Sequence, residues 1–193
     1  MNISAFNQMI ASRRSIYPRY YKDEKIEERI IWQILNNAHW APTHKMTVPW
    51  RFKVFAGKGR EELGRKQAEI YKKVASQEGN FLTAKYENLA KGPMRASHVI
   101  MIIMKRSISV KIREVEEIAA VGCAVQNIYL TANAYGLGGY WSTGGVTYMD
   151  PAKEAFGLVE EDRLMGFFYL GKIDRVKAEG QRPPIEDHVE WMS

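Results

Sequence analysis

Apolar positions along this chain fall at helical spacing in some stretches and in unbroken runs in others. Ile3, Phe6 and Ile10 return every three or four residues, which predicts an amphipathic helix over residues 3 to 12. Ile26, Ile30, Ile34 and Ala38 line one face of a second helix, with Asp23 as its expected cap. Pro42 disfavours helix at Ala41 and ends that element. A loop holding Pro42 and Pro49 leads into a strand over Arg51 to Ala56 and a turn at Gly57 to Gly59. Residues 60 to 91 are polar and lysine-rich, with Leu63, Ala68, Ile70, Tyr71 and Val74 as the apolar minority. They predict one or two mobile surface helices, broken at Gly92-Pro93. His98 to Met104 is a continuous apolar run, the pattern of a central strand covered on both faces. Lys105 to Arg113 then reads as a solvated basic connector.

The segment from Glu114 to Gly145 organises the rest. Glu114, Glu116 and Glu117 suit the positive end of a helix dipole, and Tyr135-Gly136 ends the helix. Its apolar run approaches membrane-span length, but Gln126, Asn127 and Asn133 interrupt it, so a core or subunit-interface helix is expected. The glycine-rich sequence that follows, GLGGYWSTGG, predicts backbone that approaches a flat ligand closely. Asp150-Pro151 opens a short helix as cap and first residue, and Gly157 closes it. A strand lies within Asp162 to Lys172, and the tail from Gln181 to Trp191 reads as an extended arm that packs on a partner subunit. Helices and strands together give one domain over residues 1–193, α/β or α+β, around one sheet of four or five strands.

Composition narrows the chemistry. The 193 residues carry a net charge of +6, which suits anionic ligands. A single cysteine, Cys123, excludes an intrachain disulfide framework and a multi-cysteine metal site, and its apolar surroundings predict a packed small residue. The four histidines lack metal-ligand spacing, so no metal is expected. No signal peptide is visible, which makes cytoplasmic residence the expectation. The chain has no GxxxxGK[ST], HExxH or GxSxG sequence. Gly136 to Gly139 follows a helix rather than a strand, so it is not a dinucleotide fingerprint.

Arg13-Arg14-Ser15 has two readings: a solvated helix end, or two guanidinium forks and a hydroxyl that clamp a phosphate. With no acid–base apparatus evident, a cofactor would have to carry the chemistry. Flavin mononucleotide (FMN) fits the inventory. Arg13, Arg14 and Arg182 supply cations for its phosphate, and Gly138 to Gly145 supply close backbone for its ring.

Taken together, RRSIY, NNAHWAPTHKMTVPWRF, GLGGYW, AFGL followed by GFFYLGK, and RPPIEDHVEW resemble the nitroreductase family of FMN-dependent oxidoreductases, in particular its compact, YdjA-like branch. The resemblance implies an α+β fold: a three-layer α-β-α sandwich with a mainly antiparallel sheet and a domain-swapped C-terminal arm. It also implies a homodimer with FMN at the interface. Arg13, Arg14 and Ser15 would bind the phosphate and ribityl end. Pro42, Thr43 and His44 would approach the flavin from the other subunit. Trp141, Ser142 and Thr143 would lie beside it with Gly144 near them, and Arg182 matches a phosphate-contacting position. NADH or NADPH would donate hydride in a ping-pong cycle that reduces nitroaromatics, quinones or similar small acceptors, with no catalytic side chain. Met46, Val48 and Ser142 depart from the family pattern, where Asn, Gln or Glu, and Arg are common. The alternatives are different chemistry on the same flavin fold (dehalogenation, enone reduction, flavin cleavage), or a basic nucleic-acid-binding module. Neither nucleic acid nor membrane is an expected partner on the principal reading.

Overall fold

The structure is a computed structural model that describes residues 2–108, 111–174 and 180–192. Four strands form one sheet in the order β1 (Trp50–Phe55), β2 (His98–Met104), β4 (Arg163–Lys172), β3 (Leu137–Ser142), and every neighbouring pair is antiparallel. Every residue of β2 is buried, as its unbroken apolar run predicts. Its side chains alternate between two cores. Ile100, Ile102 and Met104 face α2 (Glu28–His39) and α5 (Glu114–Ala134). Val99, Met101 and Ile103 face α3 (Lys58–Gln77) and α6 (Asp150–Ala155). The result is the expected α+β three-layer sandwich.

Helix α3 and its neighbour α4 (Thr83–Lys91) differ from the mobile surface helices expected. Leu63, Ile70, Tyr71 and Ala75 of α3 are buried in the second core. Tyr86 and Leu89 of α4 pack against it. The lysines of this region sit on the outer face, so its mean polarity conceals a narrow apolar stripe. Two caps also differ. Glu27, rather than Asp23, precedes α2, and Met149, rather than Asp150, precedes α6.

The two asparagines that interrupt α5 are ties to other helices. Asn127 Nδ2 donates to Asn37 O (3.1 Å), and Asn37 Nδ2 donates to Thr131 Oγ1 (3.0 Å), fixing α5 to α2. Asn133 Nδ2 donates to Met9 O (3.0 Å) and so holds α1 (Ile3–Ser12). Val115, Ala119, Cys123 and Gln126 remain exposed along one helical stripe. Cys123 is therefore exposed in the single chain, not packed as its surroundings predicted.

Candidate functional site

The segment after α1 runs along the free edge of β3. Ser15 bridges Gly139 in parallel, and Ile16 N–H donates to Gly139 O (2.9 Å). This places Arg13, Arg14 and Ser15 beside the glycine-rich strand. Tyr129, projecting from α5, joins the pieces. Its hydroxyl lies 3.1 Å from Ser15 Oγ and accepts the N–H of Trp141 (2.8 Å). The Arg13 guanidinium stands over its ring, 4.7 Å from the centroid.

Arg14 has a built surrounding. Its Nη1 donates to Ala11 O (2.6 Å) and Arg13 O (2.8 Å), which closes the end of α1. Its Nε is buried with no hydrogen-bond partner among the described residues. The returning C-terminal segment crosses here: a Cβ on Gly180 would meet Arg14 Cζ at 2.5 Å. Arg182 is exposed, two residues further on, and donates to Gln181 O (2.8 Å). Two residues of chain span at most about 7 Å, so the Arg182 backbone lies within that reach of Gly180. An orphaned buried guanidinium donor next to Arg13 in sequence fits a phosphate.

Trp141 is fixed by a bulge. The β2–β4 register slips between Ile102 and Ile103, leaving Met165 unpaired, and Met165 O accepts Trp141 Nε1–H (2.9 Å). Gly166 adopts φ +111° there, and a Cβ on it would lie 2.3 Å from Ser142 O. Only glycine fits this bend, which lies against the end of β3 at Ser142. A cavity of about 440 Å³ opens beside Trp141 and Thr143, floored by Leu164 and Met165 and reaching Ile118 on α5.

A second cluster lies at the other end of α5. The segment from His44 to Val48 contains three non-glycine residues of positive φ: Lys45 (49°), Met46 (54°) and Val48 (45°). Each costs about 1–3 kcal/mol, most for the β-branched Val48. Thr43 Oγ1 steadies the turn by accepting Val48 N–H (3.1 Å) and lies 3.2 Å from Thr47 Oγ1. His44 Nδ1 pairs with the carboxylate of Glu116 on the first turn of α5. Glu116 and Tyr129 are thirteen residues apart on one straight element. At 1.5 Å per residue the two clusters stand roughly 20 Å apart along the helix.

Comparison with known proteins settles the family. The model of the Nitroreductase family matches residues 10–172. The chain belongs to the nitroreductase family. Among nitroreductases it is 34% identical over 131 residues to YdjA of Escherichia coli K12, a protein assigned by name to the NAD(P)H nitroreductases; the match covers 68% of this chain and 69% of YdjA. The crystal structure of a nitroreductase-like family protein from Bacillus cereus superposes with a TM-score of 0.83 at 27% identity, covering 100% of this chain and 96% of that one. A nitroreductase from Desulfovibrio desulfuricans, solved in complex with FMN, shares the fold with a TM-score of 0.72 at 24% identity, covering 97% of this chain and 96% of its own.

Within this nitroreductase chain, Arg13, Arg14, Ser15, Trp141 and Ser142 lie in one region, with Thr143 and Gly144 continuing from β3 and Arg182 close by in the chain. Pro42, Thr43 and His44 form the separate cluster. One expectation changes. Gly138 and Gly139 make room for the protein's own rings: a Cβ on Gly138 would meet Tyr21 Cε1 at 2.4 Å, and one on Gly139 would meet Phe168 Cζ at 2.8 Å. Open backbone begins later, at Gly144, where an added Cβ meets nothing within 4 Å. Tyr129, Glu116 and Gly166 escaped the sequence reading. Tyr129 sits inside an apolar helical run, and nothing in its spacing distinguishes it from a core residue.

Proposed function

We propose that this chain is an FMN-dependent oxidoreductase that takes hydride from NADH or NADPH and passes it to nitroaromatics, quinones or similar electron-poor small molecules. It works as a homodimer with a flavin site at each end of the interface. The observation that carries this reading is the division of the site. One chain offers a phosphate clamp and a strand edge at one end of α5 and a strained polar turn at the other. A two-fold partner with its α5 antiparallel would bring each turn to the other chain's clamp. The exposed stripe Val115, Ala119, Cys123 and Gln126 supplies a narrow surface for that packing. Beyond Gly180, which packs on Arg14, the exposed arm over residues 181–192 would extend onto the partner as a swapped segment. Family membership, the FMN held by the Desulfovibrio relative, and the NAD(P)H in the name of YdjA support the same reading. Cytoplasmic residence belongs to it as well, favoured by the lone unpaired thiol and the need for reduced nicotinamide.

The residues divide the work. Arg13, Arg14 and Arg182 would neutralise the FMN phosphate, and the Arg14 Nε–H would gain the acceptor it lacks. Ser15, held by Tyr129, would meet the ribityl chain. The backbone from Ser142 to Gly144 would border the ring, while the partner's turn with Pro42, Thr43 and His44 would close over it and exclude water. When bound, FMN supplies the hydride chemistry in two half-reactions, with oxidised nicotinamide leaving before the acceptor enters. No side chain need act as nucleophile. The cavity beside Trp141 offers space for an acceptor.

Purified protein loaded with FMN should retain the flavin through gel filtration. Its absorbance should bleach on anaerobic NADH or NADPH and return on adding a quinone or nitroaromatic. A chain that retains no flavin, or whose flavin neither nicotinamide bleaches, contradicts the proposal.

A further inference from the structure

The three glutamates that open α5 have three separate partners. Glu114 pairs with Arg163 Nε (2.7 Å). Glu117 is buried, pairs with Arg106 and accepts Ser107 N–H (3.1 Å). Glu116 takes His44. Attraction to the helix dipole accounts for acids at these positions, but not for this division. The first two pairs fasten the ends of β4 and the connector after β2. The third reaches a strained turn whose other side-chain hydrogen bonds are Thr43 to Val48, Thr43 to Thr47 and Thr47 to His44 O inside the turn, and Arg51 Nη1 to Val48 O (2.7 Å) from β1.

We propose that Glu116 is a positioning residue for His44, a role that rests on the reading that His44 faces the flavin held by the other protomer. The Glu116 carboxylate accepts the proton on Nδ1, which selects one imidazole tautomer and fixes the plane of the ring. The side chain of His44 is half exposed, and Nε2 makes no hydrogen bond among the described residues. Nε2 is thus the nitrogen left to address a ligand brought from outside the chain. The pair also ties the turn to α5, the same helix whose Tyr129 holds Arg13 and Ser15 of the clamp for the opposite site. One rigid element thereby sets the spacing of both halves of the dimeric site.

The test compares the wild type with His44→Ala, Glu116→Ala and Glu116→Gln in the full chain. FMN affinity is read by fluorescence titration, and the His44 tautomer by ¹⁵N NMR with and without FMN. Glu116→Gln keeps an oxygen acceptor for Nδ1–H. It should preserve the tautomer and most of the affinity. Glu116→Ala should release the ring to the mixed tautomers of free imidazole and weaken FMN about tenfold, the loss expected for one charge-assisted hydrogen bond. Unfolding midpoints show whether each variant remains folded. If His44→Ala weakens FMN while Glu116→Ala changes neither tautomer nor affinity, Glu116 has no positioning role. If His44→Ala itself leaves FMN affinity unchanged, the placement of His44 at the flavin fails and the proposal falls with it.

Discussion

One phenol hydroxyl holds three parts of the candidate site. Tyr129 Oη meets Ser15 Oγ at 3.1 Å and Trp141 N–H at 2.8 Å, while its ring lies under Arg13 and against Phe168, 4.6 Å between centroids. The strand edge, the Arg13–Ser15 segment and the core are thereby locked in one geometry before any ligand arrives, which would lower the ordering cost of binding. His98 illustrates the opposite use of a polar side chain. It is buried at the start of β2, within 3.0 Å of Ser97 Oγ. Burial, and then the charges of Arg60 and Lys25 against a smaller pull from Glu28, push its pKa below the ordinary imidazole value. The unfolded chain therefore takes up this proton more readily than the folded one. Stability should fall as pH drops from about 7 through the unfolded-state value near 6.5, then level off below the folded pKa. Urea midpoints from pH 7.5 to 5 should show that slope, and His98→Gln should flatten it. A slope unchanged in the variant would assign the effect elsewhere.

At the scale of elements, the bulge in β4 connects the sheet to the site. Gly166 bends the strand, Met165 O holds the Trp141 indole, and the end of β3 follows. Gly166→Ala places a methyl 2.3 Å from Ser142 O at a φ of +111°, so it should destabilise the fold by about 2 kcal/mol or more and also weaken FMN. Denaturation and flavin titration on the same variant would show both losses; loss of neither would mean that the bulge is not under constraint. These elements were unequally legible. β2 could be read from its apolar run because it is buried on both faces, and α5 because even its exposed stripe is mostly apolar. α3 and α4 were harder, since a thin buried stripe under many lysines has a polar average. The bulge was invisible: a glycine in MGFFYLG has the same sequence signature whether it bends or simply thins a strand. Arg13 to Ser15 offered two readings from their chemistry, a solvated helix end or a phosphate clamp, and Thr43-His44 were legible only as a motif whose order matched a family. Their 20 Å division along α5 needed coordinates.

For the whole molecule, the excess of cations has local uses. Lys66 and Lys91 pair with Glu62 and Glu87 one helical turn away, and Arg106 with Glu117. Such interleaving solvates a surface rather than building a continuous basic face for nucleic acid. No helix of the described residues is long and apolar enough to cross a membrane. On the proposed function the working unit is a dimer, because one chain holds the flavin contacts only in halves. Arg13 packs on Tyr129 and His44 on Glu116, toward opposite ends of α5, and the two would meet the same flavin only across a two-fold axis. Complementation between two damaged chains tests this most directly. Arg13→Ala and His44→Ala homodimers should each bind FMN weakly, because every site in them lacks one part. Co-expressed in equal amounts, half the dimers are mixed, and each mixed dimer carries one site with both parts intact. Flavin binding and NAD(P)H-driven turnover should then recover to about a quarter of wild type. Recovery to that level is the result predicted; co-expressed chains no better than either variant alone would contradict a site shared between two protomers.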